Sequence, residues 1–303
     1  MYPELWTFAS GTVFPYPLIL CLTFIVGTIL AYWRGGRERL DRGRGFPLAL
    51  IVPISAIAGA RILYVIVNWR TFAQHPLSIF DPTVIGMVGY GALLAVPCGI
   101  WYVHRLHGPV WHGADVIAPS IALGIGLYRC GCFLAGCCYG VPTDLPWGVL
   151  FPAFSTPPWS HQCWFRALAV EPEKLGVFRH PTQLYEALFG FTAFVCVTVA
   201  LRSSRRRDGT IFVGLLASYA VWRFLIEGLR GDPRGHLVIS IGAAAGPTLS
   251  WVEASLIDWL AAHPARFQLW ISTSQIISLM LASACALFIR RRLRAKLDTS
   301  SSA

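Results

Sequence analysis

Long apolar runs, broken by short clusters of arginine, glycine and proline, recur along the whole chain. Windows of about 20 predominantly apolar residues, the length that crosses a bilayer's hydrocarbon core, predict seven spanning helices. They fall at about 14–33, 46–68, 83–104, 114–139, 181–201, 209–229 and 268–289. Pro53, Pro119 and several glycines interrupt the second and fourth windows, and spanning helices tolerate both residue types. The pattern therefore predicts an all-α polytopic membrane protein, a single integral membrane domain over 1–303. Two long connections, about 140–180 and 230–267, separate the windows. In the second of them, the run Val252 to Ala262 after Trp251 predicts a short helix lying on the membrane surface.

Composition agrees with the pattern. Hydrophobic residues make up 55% of the chain and charged residues only 13%, against about 25% charged in a soluble domain. The mean hydropathy is +0.57. The net charge of +10 raises nucleic acid as a partner, but the charges flank apolar segments instead of forming a binding stripe, which excludes that reading. Met1 to Ser10 lacks a basic start and a small-residue cleavage site, so no cleavable signal peptide is expected.

Charge also orients the helices. With the N-terminus outside, fifteen Lys and Arg residues fall on the cytoplasmic side and seven on the other, where the connections are longer. The expectation is N-terminus out and C-terminus in. Three arginines, Arg61, Arg129 and Arg223, then lie inside spanning windows, in the outer half of the membrane. A guanidinium at that depth is costly and marks a functional site. Glu227, His180, Gln183, Tyr185, Glu186, Tyr16 and Tyr90 fall in the same layer.

Arg223 and Glu227 are spaced i, i+4 and share a helix face, with Arg230 continuing it one turn later. An internal ion pair is one reading. A bound phosphate, which arginine matches bidentately, is the reading favoured by the presence of Arg129. The stretch Leu127 to Gly140 holds Cys130, Cys132, Cys137 and Cys138 among small residues. Three readings stand side by side: close helix packing, a disulfide or thiol relay that includes Cys163, and a metal site. The C-x-C-x4-C-C spacing and the lack of a histidine in the stretch argue against the last. Cys21, Cys98, Cys196 and Cys285 lie in apolar runs and read as packed or lipid-facing. In Phe178 to Glu186, Pro181 suits a first helical turn, and His180 beside an arginine and a carboxylate is an acid or base candidate.

RHPTQLYE at 179–186, YRCGCFLAGCCYG at 128–140 and WRFLIEGLRGDP at 222–233 resemble the prolipoprotein diacylglyceryl transferase family. GARILYV at 59–65, ADVIAP at 114–119 and Tyr16 add to the resemblance, and the pieces run in the family's order. The resemblance implies a multi-pass enzyme of the inner (cytoplasmic) membrane with its active site toward the outer leaflet. It would move a diacylglyceryl group from phosphatidylglycerol, or use another anionic phospholipid, and deliver it to the lipobox cysteine thiol of a prolipoprotein. Glycerol phosphate would leave, with no cofactor and no metal called for. Arg129 and Arg223 match the family's two essential arginines and would hold the phosphate, with Glu227 orienting Arg223. His180 and Tyr90 complete the catalytic set, and Tyr16, Arg61, Gly140, Gln183, Tyr185 and Glu186 would bind substrate. The chain departs from the family where Tyr90 replaces a functional histidine and where Cys132 and Cys137 replace asparagine and glutamate. Three alternatives stand: a membrane thiol oxidoreductase built on the four cysteines, a protein of the same fold acting on another anionic lipid, and a non-enzymatic lipid-binding or transport protein.

Overall fold

A computed structural model of the chain describes residues 6–8, 11–13, 15–37, 42–67, 69–74, 76–80, 101, 105, 110–151, 177–202, 208–231, 236–241, 248–252 and 267–301. Seven α-helices lie among them: α1 Pro15–Arg37, α2 Arg42–Val67, α3 Trp69–Gln74, α4 Val110–Leu134, α5 Thr182–Ala200, α6 Thr210–Glu227 and α7 Thr273–Ser301. Five are long and apolar enough to cross a membrane, over Tyr16–Arg37, Val110–Leu134, Thr182–Ala200, Thr210–Glu227 and Ser274–Arg291. α2 contributes a shorter apolar stretch, Ile54–Ile66. The third window, about 83–104, and Tyr90 in it lie outside the described residues apart from Trp101.

The chain is mostly helical, consistent with the all-α membrane protein expected, and a few short strands join the helices. Strands β1 (Trp6–Phe8) and β2 (Gly11–Val13) form a hairpin, and β3 (Val149–Leu150) pairs with β4 (Phe178–Arg179). Strands β5 (His236–Ile241), β6 (Thr248–Val252) and β7 (Phe267–Ser272) form an antiparallel sheet in the order β6–β5–β7. The β-branched and aromatic residues of FQLWIS suit a strand, and β7 occupies that segment. α7 therefore begins at Thr273, five residues into its apolar window. Trp251 and Val252 belong to β6 instead of the expected surface helix, whose remaining residues lie outside the described ones.

Local chemistry sets the helix ends. α4 stops at Leu134 although the apolar pattern runs on to 139, because Gly136 and Cys138 take left-handed conformations at φ 69° and 65°. α6 follows Gly209 at φ 85°, and its first turn is capped from another helix. The Asp115 carboxylate accepts from Gly209 N and Phe212 N, both at 2.8 Å. α7 is capped locally, where Gln275 N donates to Ser272 Oγ at 3.1 Å and Ser272 N donates to Gln275 Oε1 at 3.0 Å.

The helices run up and down, so the bundle has two distinct ends. α4 and α5 cross at Gly126 and Gly190, where a β-carbon on Gly190 would press into the Gly126 backbone. Small residues are what allow helices this close in a bilayer. One end has an apolar core: Ala118, Ala122, Val197, Leu201 and Leu215 are buried in it, and Trp111 of α4 packs on Phe288 of α7 at 4.4 Å. At the other end lie the start of α1, the end of α4, the start of α5, the end of α6 and the start of α7.

Candidate active site

Three non-helical segments meet at that second end. Gly140 N donates to His180 O at 2.9 Å, Val141 N to Leu229 O at 2.9 Å, His180 N to Val141 O at 3.1 Å and Gly231 N to Tyr139 O at 3.1 Å. A β-carbon on Gly140 would sit 2.6 Å from both His180 Cβ and Leu229 O. Gly140 is thus the residue that lets the segments cross.

The crossing covers a buried charged group. Glu186, on the second turn of α5, reaches Arg129 of α4 through Oε1 at 2.8 Å and Arg230 through Oε2 at 3.2 Å. On α6, Arg223 Nη1 pairs with Glu227 Oε2 at 2.7 Å, and Arg223 Nη2 donates to Ser274 Oγ of α7 at 3.1 Å. Arg179 donates to Gly140 O at 3.4 Å and lies over the Tyr139 ring at 4.9 Å. All four arginines and both carboxylates are at most 8% exposed. Together they carry a formal excess of two positive charges in a place where charge is costly unless compensated. Buried arginines in excess of carboxylates form a site for an anion, and the fork of a guanidinium matches phosphate oxygens.

A smaller polar chain lies beside them. Trp147 Nε1 donates to the Tyr185 hydroxyl at 2.9 Å, and that hydroxyl is 3.2 Å from His180 Nδ1. With the indole donating, the phenol proton fits on the His180 side, an assignment in which Nδ1 accepts and Nε2 is the ring's donor. Gln183 is fully buried and donates to Cys137 O at 2.6 Å. Its Oε1 meets no hydrogen-bond donor among the described residues. Tyr16 packs edge-on against Tyr128 at 6.1 Å and against the buried Cys132, Cys137 and Cys138.

The structure thus gathers Arg129, Gly140, His180, Gln183, Tyr185 and Glu186 around one crossing, with Tyr16 on its α1 side and Arg223 and Glu227 on α6. Arg61 is placed differently. Its guanidinium donates to Ile79 O at 2.9 Å and Ser78 O at 3.4 Å, and lies 5.7 Å from the Tyr64 and Phe72 rings. These contacts tie α2 to α3 and the 3-10 turn Pro76–Phe80. Sequence reasoning gave no site role to Arg179, Arg230 or Ser274. α6 ends at Glu227, so Arg230 does not continue the Arg223 face but stands opposite Gly140 in an isolated β-bridge. The signal available was the clustering of Arg179 and Arg230 within the same two motifs that carry Glu186 and Glu227.

Comparison with known proteins shows the family. The chain belongs to the family described as prolipoprotein diacylglyceryl transferase, whose profile matches residues 3–290. It is 32% identical over 233 residues to phosphatidylglycerol–prolipoprotein diacylglyceryl transferase 2 of Clostridium perfringens, covering 74% of this chain and 82% of that protein. It is 30% identical to a Clostridium tetani protein named phosphatidylglycerol–prolipoprotein diacylglyceryl transferase, covering 78% and 88% of the two chains. A Geobacter sulfurreducens protein of the same name is 33% identical, covering 75% and 80%.

Proposed function

We propose that the chain is a phosphatidylglycerol–prolipoprotein diacylglyceryl transferase whose reaction is carried out at the arginine cluster. The observation that carries this reading is the buried excess of guanidinium over carboxylate at Arg129, Arg179, Arg223, Arg230, Glu186 and Glu227. The sulfur of the acceptor cysteine attacks the CH2 carbon of the diacylglyceryl group. The carbon–oxygen bond to phosphate breaks, glycerol phosphate leaves with the electron pair, and the thiol proton passes to the departing phosphate. Charge grows on the leaving phosphate, so pre-placed guanidinium groups lower the barrier. Arg129, held from one side by Glu186, and Arg223, held by Glu227 and Ser274, present their remaining N–H groups to that phosphate. His180, with its Nδ1 side engaged by Tyr185, offers Nε2–H to a phosphate oxygen. Gln183 Oε1 accepts from a glycerol hydroxyl. Tyr90 is assigned to the same layer from the sequence alone.

The distribution of Lys and Arg supports a seven-span, N-out topology, with this end of the bundle at the outer leaflet of the inner membrane, where the lipid donor and the acceptor protein meet. The test is transfer of labelled diacylglycerol from phosphatidylglycerol to a lipobox peptide by purified protein. Arg129→Ala and Arg223→Ala are each expected to lose at least about a hundredfold in rate, the scale of one lost oxyanion donor. Retained activity in both variants overturns the site assignment.

A further inference from the structure

Three of the four clustered cysteines do more than fill space. Cys132 on the last turn of α4 and Cys137 and Cys138 in the turn after it place their sulfur atoms all within 4.8 Å of one another. All three side chains are buried, whereas Cys130 is only half-buried and stands apart from the group. The C-x-C-x4-C-C spacing disfavours a metal when read as a line, but the backbone after Leu134 folds back and removes that objection. Cys137 N donates to Cys132 O at 3.1 Å, closing the turn, and Cys138 holds a left-handed backbone at φ 65°. A non-glycine residue in that conformation persists only where its surroundings impose it. They do: Thr182 Oγ1 donates to Cys138 O at 2.7 Å and Gln183 Nε2 to Cys137 O at 2.6 Å, so the start of α5 pins both cysteine backbones.

We propose that Cys132, Cys137 and Cys138 bind a single soft, thiophilic metal ion of the closed-shell d10 kind, Cu(I) or Zn(II). Three thiolates around one such ion at about 2.3 Å lie about 4 Å apart, within the spacing found. An all-sulfur donor set selects these ions over hard cations. Among the described residues no histidine or carboxylate joins the three sulfurs, so the set is complete for trigonal Cu(I), while Zn(II) would take its fourth donor from outside the group. Binding displaces three thiol protons, and the negative charge left on the metal–thiolate unit is set near Arg129 and Arg230. The ion would staple the end of α4 to the turn that carries Tyr139 and Gly140. This site does not depend on the transferase reading, since the acceptor sulfur in that reaction belongs to the substrate.

The test uses full-length protein purified in detergent without air. It is loaded separately with Cu(I) and with Zn(II), dialysed against a weak chelator, and analysed for metal content and for thiols that react with N-ethylmaleimide. The expected result is one equivalent of either ion, with Cys132, Cys137 and Cys138 protected from alkylation and released by a strong chelator. Cys137→Ser and Cys138→Ser are expected to weaken binding at least tenfold, and Cys130→Ser to leave it unchanged. Thiol protection is read on the unaltered protein, so a variant that fails to fold does not decide the matter. Retention of neither ion overturns the proposal, as does equal loss in Cys130→Ser. A disulfide among the three in the freshly purified protein, seen as a mass deficit of two hydrogens, overturns it as well.

Discussion

Glu186 is almost fully buried and answers two guanidinium groups at once, Arg129 at 2.8 Å and Arg230 at 3.2 Å. Removing its charge takes a buried carboxylate away from both arginines, and breaking a buried pair by deleting one partner costs about 3–5 kcal/mol. Glu186→Gln is therefore expected to melt well below the unaltered protein in detergent and to lose most of its transfer activity. If the cluster binds a lipid phosphate, that phosphate replaces the lost carboxylate, so added phosphatidylglycerol should raise the melting temperature more in Glu186→Gln than in the unaltered chain. A variant that melts like the parent with or without lipid refutes the bridging role. At this scale the sequence was only partly legible. Arg129, Arg223, Glu186 and Glu227 stood out because apolar windows make a charge conspicuous. Arg179 and Arg230 sit in connections, where a basic residue is ordinary, and their burial becomes visible only once three segments cross at Gly140. Arg61 shows the converse: its depth in an apolar window marked it, yet its guanidinium is engaged by the carbonyls of Ser78 and Ile79.

Two local devices help to join the helices. One is the approach of α4 and α5, where Gly190 has no room for a β-carbon against the backbone of Gly126 and Ala122. Gly190→Ala is expected to lose about 1–3 kcal/mol, the cost of overpacking, despite the gain in helix propensity. Gly214 on α6 meets nothing within 4 Å, so Gly214→Ala is expected to be neutral or slightly stabilising. Equal behaviour of the two variants in denaturant unfolding would show that the crossing is not tight. The other device is Asp115, which caps α6 from α4. Asp115→Ala removes two charge-assisted hydrogen bonds to otherwise orphaned N–H groups and is expected to cost about 2 kcal/mol or more, measured the same way. The five long apolar helices were legible because each satisfies its own backbone hydrogen bonds, so that local pattern decides. Strands β5, β6 and β7 were not, because their apolar runs show no clean alternation and β7 reaches β5 from beyond β6 in the chain. The end of α4 was missed for a related reason: left-handed Cys138 has no signature in an apolar count.

Across the whole molecule, the separation of the two ends carries the functional argument. The arginine cluster lies where α4 and α6 end and α5 and α7 begin, together with Tyr16 at the start of α1. The opposite end carries Arg34, Arg37, Arg202, Arg290, Arg291 and Arg294, in the last turn of α1, just past α5 and at or beyond the end of the apolar span of α7. Basic residues flanking apolar helices are retained on the cytoplasmic side, so this end is expected inside and the cluster outside. Alkaline phosphatase folds into an active enzyme only when exported. Fused after Asp144, in the turn beyond α4, it should be active, and fused after Arg202, at the end of α5, it should be inactive. The two positions sit at opposite ends of the same bundle, so one orientation cannot give the same result at both. A reversed pattern would put the arginines on the cytoplasmic face. It would leave the anion site intact as geometry but deny it an acceptor displayed on the outer surface. Topology is therefore the measurement on which the choice of acceptor turns, while the phosphate chemistry of Arg129 and Arg223 would survive either result.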